Sequence, residues 1–135
     1  MQGDKKAAVG VVGLALLWIP VASAASFDCS ARWLSRTELA ICDDTQLSRV
    51  DEAVARRLRG FARRLNFGQY LGLRHWYAAS ARQRNQCETD RICIAASYRA
   101  QARFLDRLQH CLEASFSRRA CLRDLLIGER ETMRR

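Results

Sequence analysis

Six cysteines and one pair of adjacent aspartates are the residues of this chain whose chemistry is easiest to recognise. An even number of cysteines in a short chain indicates either a set of disulfides or a metal site. No Cys-x-x-Cys pair occurs, and neither His75 nor His110 has the spacing of a zinc finger. We therefore expect three disulfides and no metal, formed by Cys29, Cys42, Cys87, Cys93, Cys111 and Cys121.

The spacing of the cysteines favours pairing in sequence order. Twelve, five and nine residues separate the members of the three successive pairs, and such short loops suit the connections between consecutive helices. Other pairings of six cysteines remain possible on sequence alone. The expected disulfides are Cys29–Cys42, Cys87–Cys93 and Cys111–Cys121.

Catalysis would require a nucleophile with a base, paired carboxylates, a metal or a phosphate-binding loop. Asp43 and Asp44 are adjacent, but acids at a helix start usually serve as caps. His75 has no candidate serine partner, and His110 is typical of a cation near a helix C-terminus. No glycine-rich phosphate motif is present. We expect a protein that is not an enzyme, has no catalytic residues and binds no cofactor.

The first 24 residues have the features of a signal peptide. Lys5 and Lys6 precede an apolar run of thirteen residues, Ala7 to Ile19, and Ala22-Ser23-Ala24 is a small-residue cleavage site. The alternative is a membrane anchor, but the run is shorter than the ~20 residues of a spanning helix. We expect a signal peptide over 1–24, no membrane span after its cleavage, and a single domain over 25–135.

Charge is distributed unevenly along the chain. Removing Lys5, Lys6 and Asp4 with the signal peptide changes the net charge from +9 to +8. Residues 37–52 by themselves have a net charge of −4. That acidic segment is a candidate partner-binding surface. The alternative is that its acids form helix caps and helical ion pairs, such as Glu52 with Arg56. The candidate partner-binding residues are Glu38, Asp43, Asp44, Asp51 and Glu52.

Apolar residues recur at steps of three and four through most of the chain, which predicts amphipathic helices. We expect a short helix capped near Ser35 or Thr37, with Trp33 in the core. A second helix begins at Asp44 or Thr45, runs to about Leu65, and is ended by Asn66 or Gly68. Its predicted buried stripe is Leu47, Val50, Val54, Leu58, Phe61 and Leu65.

Two longer helices are predicted after it. One spans roughly residues 69–86. The next is capped by Thr89 or Asp90, runs to about residue 109, buries Ile94, Tyr98, Leu105 and Leu108, and exposes Arg99, Arg103 and Arg107. The helix at 69–86, which is the third of the chain, has its buried face at or beside Leu71, Leu73, Trp76, Tyr77, Ala81 and Arg84. The pattern predicts an all-α fold, an irregular disulfide-stapled bundle of four to five helices.

The motifs around the first cysteines are similar to a known family. Phe-Asp-Cys, then Glu-x-x-Ile-Cys-x-Asp, then Leu-x-x-x-Asp resembles the LprI-type lysozyme inhibitor N-terminal domain family of small secreted bacterial proteins. The resemblance extends over about residues 26–108 and leaves 109–135 as an extension. In the fourth helix Gln101 stands where the family has arginine, and Ala102 where it has a large aliphatic residue. The matching residues are Phe27-Asp28-Cys29, Glu38, Ile41-Cys42, Asp44, Leu47 and Asp51.

This resemblance implies a secreted or periplasmic protein that acts by binding another protein. The expected partner is a lysozyme or another hydrolase directed at the cell envelope. A second hypothesis, from the charge alone, is a structural envelope protein that binds an anionic polymer through arginine-rich helix faces. The arginines form no run of four or more, and we expect no specific nucleic-acid partner.

Overall fold

The computed structural model describes residues 25–132, with side chains up to residue 127. Within that range the chain forms five helices and no strand, which confirms the predicted all-α, disulfide-stapled bundle. The expected signal peptide lies outside the described residues. The helices are α1 (Arg36–Cys42), α2 (Thr45–Ala62), α3 (Phe67–Asn85), α4 (Arg91–Glu113) and α5 (Arg118–Thr132).

Polar side chains at the helix starts explain where three of the helices begin. Ser35 and Glu38 form a reciprocal capping box at α1: each side chain accepts the backbone N–H of the other residue. Asp44 caps α2 and Asp90 caps α4, and each carboxylate accepts two backbone N–H groups of the first turn. All three caps were among the residues that the sequence predicted.

The expected end of α2 at about Leu65, with Asn66 or Gly68 in the left-handed position after it, is wrong. The helix ends at Ala62, and Asn66 instead begins α3, where its side chain accepts the N–H of Gln69. The Gln69 side chain accepts the N–H of Asn66 in return. A residue in this reciprocal arrangement satisfies orphaned donors at a helix start, so Asn66 has no need for the left-handed conformation.

The buried stripe of α2 differs most from the predicted one at Val50, while Leu58 and Leu65 are partly buried and Leu65 lies beyond the end of the helix. Leu47, Val54 and Phe61 are buried, but Val50 is 39% exposed and Asp51 is only 2% exposed. Asp51 lies four residues after Leu47 and three before Val54, so it occupies the helical face that packs on α4. The carboxylate therefore takes the core position that the sequence analysis gave to a valine.

Helices α3 and α4 form an antiparallel pair joined by the short turn of the Cys87–Cys93 disulfide. Their main aromatic contact is Trp76 on Phe104, with ring centroids 3.7 Å apart and planes 15° from parallel. Leu71 was expected at or beside the buried face of α3, but it is 42% exposed. It precedes the buried Leu73 by two residues, about 200° of helical rotation, and so lies on the opposite side.

The disulfides join Cys29 to Cys42, Cys87 to Cys93, and Cys111 to Cys121, in the order expected from the spacing, and no cysteine is free. The first fixes the segment before α1, the second closes the turn between α3 and α4, and the third joins the end of α4 to α5. Because α5 packs on α3 and α4, the part of the extension within 109–132 belongs to the same packed structure.

Trp33 was expected in the core, but its side chain is 86% exposed. It lies in the turn before α1, and the buried face of that helix is already filled by Thr37, Ala40 and Ile41. Leu39 on the same short helix is 48% exposed. The first disulfide loop therefore presents two large apolar side chains to solvent.

Surface charges agree with the expectation for α4 and differ from it for α2. Arg99, Arg103 and Arg107 are all exposed, as predicted. Glu52, however, pairs with Arg59 at 2.9 Å, two turns along α2, and not with Arg56 one turn away. In the described part of the chain, none of the helices combines the length and apolarity that crossing a bilayer requires.

Candidate functional site

The structure separates the five acidic residues that the sequence grouped as one partner-binding surface. Asp51 is withdrawn into the core, so it is wrong as a partner contact. Its Oδ1 accepts the Tyr98 hydroxyl at 2.8 Å and pairs with Arg84 Nη1 at 3.4 Å. Its Oδ2 accepts the backbone N–H of Ser26 at 2.6 Å. The Arg84 Nη1 also donates to the Tyr98 hydroxyl at 3.1 Å.

These contacts define a buried polar cluster of Asp51, Arg84 and Tyr98, one residue each from α2, α3 and α4. All three residues are at most 4% exposed. A buried ion pair repays its desolvation only when hydrogen bonds satisfy the remaining polar atoms. Here Tyr98 and the Ser26 N–H supply them for the carboxylate. The cluster is therefore a structural centre and not a surface available to a partner.

Ionisation of the tyrosines near this cluster is suppressed. Burial raises the pKa of the Tyr98 hydroxyl far above its usual value, and the Asp51 charge adds to the rise while Arg84 opposes it. Burial also raises the pKa of Tyr77 on α3, with a further contribution from Asp51. Tyr98 is therefore a neutral hydroxyl donor to Asp51 over the physiological pH range.

Stability should fall at alkaline pH because of Tyr98. A pKa raised by folding gives stabilisation that is complete below the unfolded value, near 10, and is lost as pH rises above it. We expect the free energy of unfolding of wild type to decline above about pH 10, and Tyr98→Phe to decline less over the same range. Urea titrations at several pH values test this, with Tyr70→Phe as a control outside the cluster. Parallel declines in wild type and Tyr98→Phe would contradict it.

Three other acids of the predicted surface have local structural partners. Glu38 belongs to the α1 capping box, and Glu52 pairs with Arg59. Asp44 caps α2 and pairs with Arg91 at 3.2 Å. A hydrogen bond from the Leu47 N–H is the largest of the effects that lower the pKa of Asp44. For these three residues the structure agrees with the alternative to a partner-binding surface, in which the acids form helix caps and ion pairs.

Asp43 is the one member of the predicted set that stays exposed without such a partner. Among the described residues its carboxylate has no hydrogen bond or ion pair. It follows Cys42 directly, so the Cys29–Cys42 disulfide holds its backbone. It also lies four residues after the exposed Leu39, so the two share one face of the chain at α1.

The turn between α3 and α4 lies against α1 and brings further acids to this end of the bundle. Arg36 at the start of α1 pairs with Glu88 at 3.3 Å, and Thr37 Oγ1 donates to the Asn85 carbonyl at 3.1 Å. At the other end of α1, Asp44 pairs with Arg91. We call the resulting surface the acidic end. Its acids are Asp43, Asp44, Glu88 and Asp90, and with Arg36 and Arg91, which pair with two of them, these four acids and two arginines carry a net charge of −2.

The sequence analysis did not group Glu88 and Asp90 with the segment 37–52, because 35 residues or more separate them from it. Only the packing of the α3–α4 turn against α1 makes them neighbours. Exposed apolar side chains lie on the same segments: Trp33 and Leu39 in the first disulfide loop, and Ile92 in the first turn of α4, where it is 79% exposed. An aromatic anchor among polar groups is typical of protein interfaces.

Between residues 25 and 127 no group of three or more histidine, cysteine or acidic side chains is arranged to hold a metal ion. His75 and His110 are both exposed, on α3 and α4. The acidic end contains charged side chains and exposed apolar area.

No protein-family model, no curated protein and no solved structure matches this chain. The resemblance to the LprI-type family therefore stays a prediction. The three disulfides favour an oxidising compartment.

Proposed function

We propose that this chain is a secreted or periplasmic binding protein that inhibits a lysozyme or a related envelope hydrolase through its acidic end. The observation that carries the proposal is the position of Asp43. Its carboxylate is exposed and has no partner among the described residues, it lies beside the exposed Leu39, and the disulfide at Cys42 holds its backbone. A backbone segment that is ordered before binding loses little entropy on binding.

Long-range electrostatics make a local acidic surface necessary for such a partner. The chain carries +8 without its first 24 residues, so a strongly basic hydrolase is repelled at a distance. Acids gathered at one end give the approaching partner a favourable orientation. Charge complementarity of this kind raises the association rate, while buried apolar area supplies most of the affinity. Trp33 and Leu39 provide that area.

Removal of the Asp43 charge should weaken inhibition without affecting the fold. We expect Asp43→Asn to raise the inhibitory concentration roughly three- to tenfold through slower association. We expect Trp33→Ala to raise it roughly tenfold or more, through the loss of an aromatic anchor. The measurement is a lysozyme cell-lysis assay with the oxidised protein. Asp124→Asn is the matched control, because Asp124 is an exposed acid on α5 at 70% side-chain exposure.

Two outcomes would contradict the proposal at different levels. The reduced and alkylated protein is the inactive control. If wild type inhibits lysis at micromolar concentration no better than this control does, the inhibitor function fails. If wild type inhibits and Asp43→Asn is equally potent, the function stands and the assignment of the acidic end fails.

The second hypothesis, binding of an anionic envelope polymer, is supported by a different surface. Arg56, Arg59 and Arg63 are exposed along α2, and Arg99, Arg103 and Arg107 along α4. Such faces attract polyanions, and their contacts weaken steeply with added salt because both sides are solvated. Substitutions at the acidic end would leave this activity unchanged, which distinguishes it from the inhibitor function.

A further inference from the structure

The turn between α2 and α3 and the turn between α4 and α5 lie side by side at one end of the bundle. Arg118 Nη2, at the start of α5, donates to the backbone carbonyl of Arg64 at 3.2 Å. Arg64 Nη1 in turn donates to Gln109 Oε1 of α4 at 3.5 Å. At the rise of an α-helix, α3 is about 27 Å long between its first and last residues. This pair of turns therefore lies far from the acidic end, which is at the other end of α3.

Two phenylalanines on these turns are exposed. Phe67 is the first residue of α3 and is 75% exposed, and Phe116 in the turn before α5 is fully exposed at 104%. Leu71, one turn after Phe67 on the same face of α3, is 42% exposed and continues the apolar surface. Single exposed apolar side chains are common on proteins. Several of them on adjoining segments with a polar rim are typical of an interaction site.

Four exposed arginines accompany the phenylalanines. We call this surface the basic end, and its residues are Arg63, Arg64, Phe67, Phe116, Arg118 and Arg119. Neither Arg63 nor Arg119 has a hydrogen bond or ion pair among the described residues. Glu113 is the one acid within residues 63–67 and 109–119, so these two segments have a net charge of +3 with His110 neutral.

The combination of arginine and phenylalanine limits the kind of partner. A polyanion in water would pair with the arginines and leave the phenylalanines solvated. An anionic bilayer has groups for both. Its phosphate oxygens accept parallel hydrogen bonds from guanidinium groups, and aromatic side chains are buried at the boundary between its headgroups and acyl chains. The exposed Trp33 lies before α1, near the acids of the acidic end, which anionic headgroups repel.

We propose that the basic end docks this protein on a membrane surface that contains anionic phospholipid, with Phe67 and Phe116 inserted at the acyl-chain boundary. A shallow apolar insertion alone gives weak, reversible binding, and a basic patch supplies the second contribution that stable binding requires. Docking in this orientation leaves the acidic end facing the solution. The proposal does not depend on inhibition of a lysozyme, and its test shares no variant with the lysis assay, so the two can fail separately.

The test is co-sedimentation of the oxidised protein, without its expected signal peptide, with vesicles of equal parts phosphatidylglycerol and phosphatidylcholine. Residues 1–24 are omitted because their apolar run would itself bind vesicles. We expect binding roughly tenfold or more tighter than to vesicles of phosphatidylcholine alone. The double variant Arg63→Gln with Arg119→Gln should bind the mixed vesicles roughly tenfold more weakly, because each arginine near an anionic surface adds to the attraction.

A second pair of arginines is the charge-matched control. Arg49 in α2 and Arg82 in α3 are exposed and lie toward the acidic end of these helices. Charges farther from the bilayer than a Debye length are screened, so Arg49→Gln with Arg82→Gln should change vesicle binding less than about twofold.

Fluorescence tests the insertion of the phenylalanines. Phe116→Trp places a fluorophore at the basic end, and lipids brominated on their acyl chains should quench its emission. The same lipids should leave wild type unquenched, because Trp33 lies at the other end of the bundle and Trp76 is buried. Phe67→Ser with Phe116→Ser should weaken vesicle binding roughly tenfold or more. Its melting temperature should stay close to that of wild type, because both side chains are exposed.

Four results would each overturn the proposal. The first is equal binding to vesicles with and without phosphatidylglycerol. The second is equal weakening by the two arginine pairs, which would show that net charge alone decides binding. The third is binding that survives loss of the phenylalanines or leaves Phe116→Trp unquenched, because the partner is then any polyanion. The fourth is a dimer of wild type, seen by sedimentation velocity without lipid, that loss of the phenylalanines abolishes. That result would assign the surface to a second copy of the chain.

Discussion

Replacement of Arg84 by methionine should lower the melting temperature by roughly 10–20 °C. Arg84 pairs with Asp51 where both side chains are at most 5% exposed. Methionine keeps most of the volume but leaves the carboxylate buried without its counter-charge. Loss of one partner of a buried ion pair costs about 3–5 kcal/mol. Differential scanning calorimetry of wild type and variant measures the change.

A surface ion pair on the same helix as Asp51 is the matched control. Arg59 and Glu52 pair at 2.9 Å, but Arg59 is 59% exposed, so Arg59→Met should cost only about 0–1 kcal/mol. The double variant Asp51→Leu with Arg84→Met should recover most of the lost stability, since no buried charge remains. A melting temperature for Arg84→Met within a few degrees of wild type would contradict the assigned burial of the pair.

Loss of the first disulfide should produce the second large effect. Substitution of both Cys29 and Cys42 by alanine is expected to cost about 2–4 kcal/mol, or roughly 8–16 °C of melting temperature. Part of this loss of stability is the conformational entropy that the unfolded chain regains when the cross-link is removed. Part is native contacts, because the disulfide holds the segment whose Ser26 N–H donates to Asp51 and whose Ala25 is buried.

The Cys87–Cys93 disulfide provides the comparison. It closes a shorter loop, with a sequence separation of 6 against 13, and chain entropy alone gives about 2 kcal/mol for its removal. If removal of Cys29–Cys42 costs no more than removal of Cys87–Cys93 under the same conditions, the segment before α1 contributes nothing to the buried cluster.

Local signals in the sequence located the starts of α1, α2 and α4, but not the start of α3 or the core around Asp51. A cap needs only a polar side chain and the N–H groups two or three residues away, so Asp44 and Asp90 were identified from their neighbours. Asp51 follows Val50 in a helix whose stripe is otherwise apolar. Hydrophobic periodicity favours the valine, and only the arrival of Arg84 and Tyr98 from other helices makes the carboxylate the buried residue.

The candidate site was predictable only in the part formed by one segment. The exposure of Asp43 was expected from its place between a disulfide and a cap. Trp33 was assigned to the core because a large aromatic residue is more often buried, and nothing local shows that α1 already fills that space.

The short spans of the three disulfides affect how the protein acquires them. Their sequence separations are 13, 6 and 10 residues, whereas the contacts of Asp51 with Arg84 and Tyr98 span 33 and 47 residues. Loops of about ten residues close in roughly 10–100 ns, and closure becomes less favourable as loops lengthen. In a reduced, unfolded chain the native cysteine partners therefore meet more often than most wrong ones. Correct oxidation can precede assembly of the core, so the chain has little dependence on disulfide shuffling.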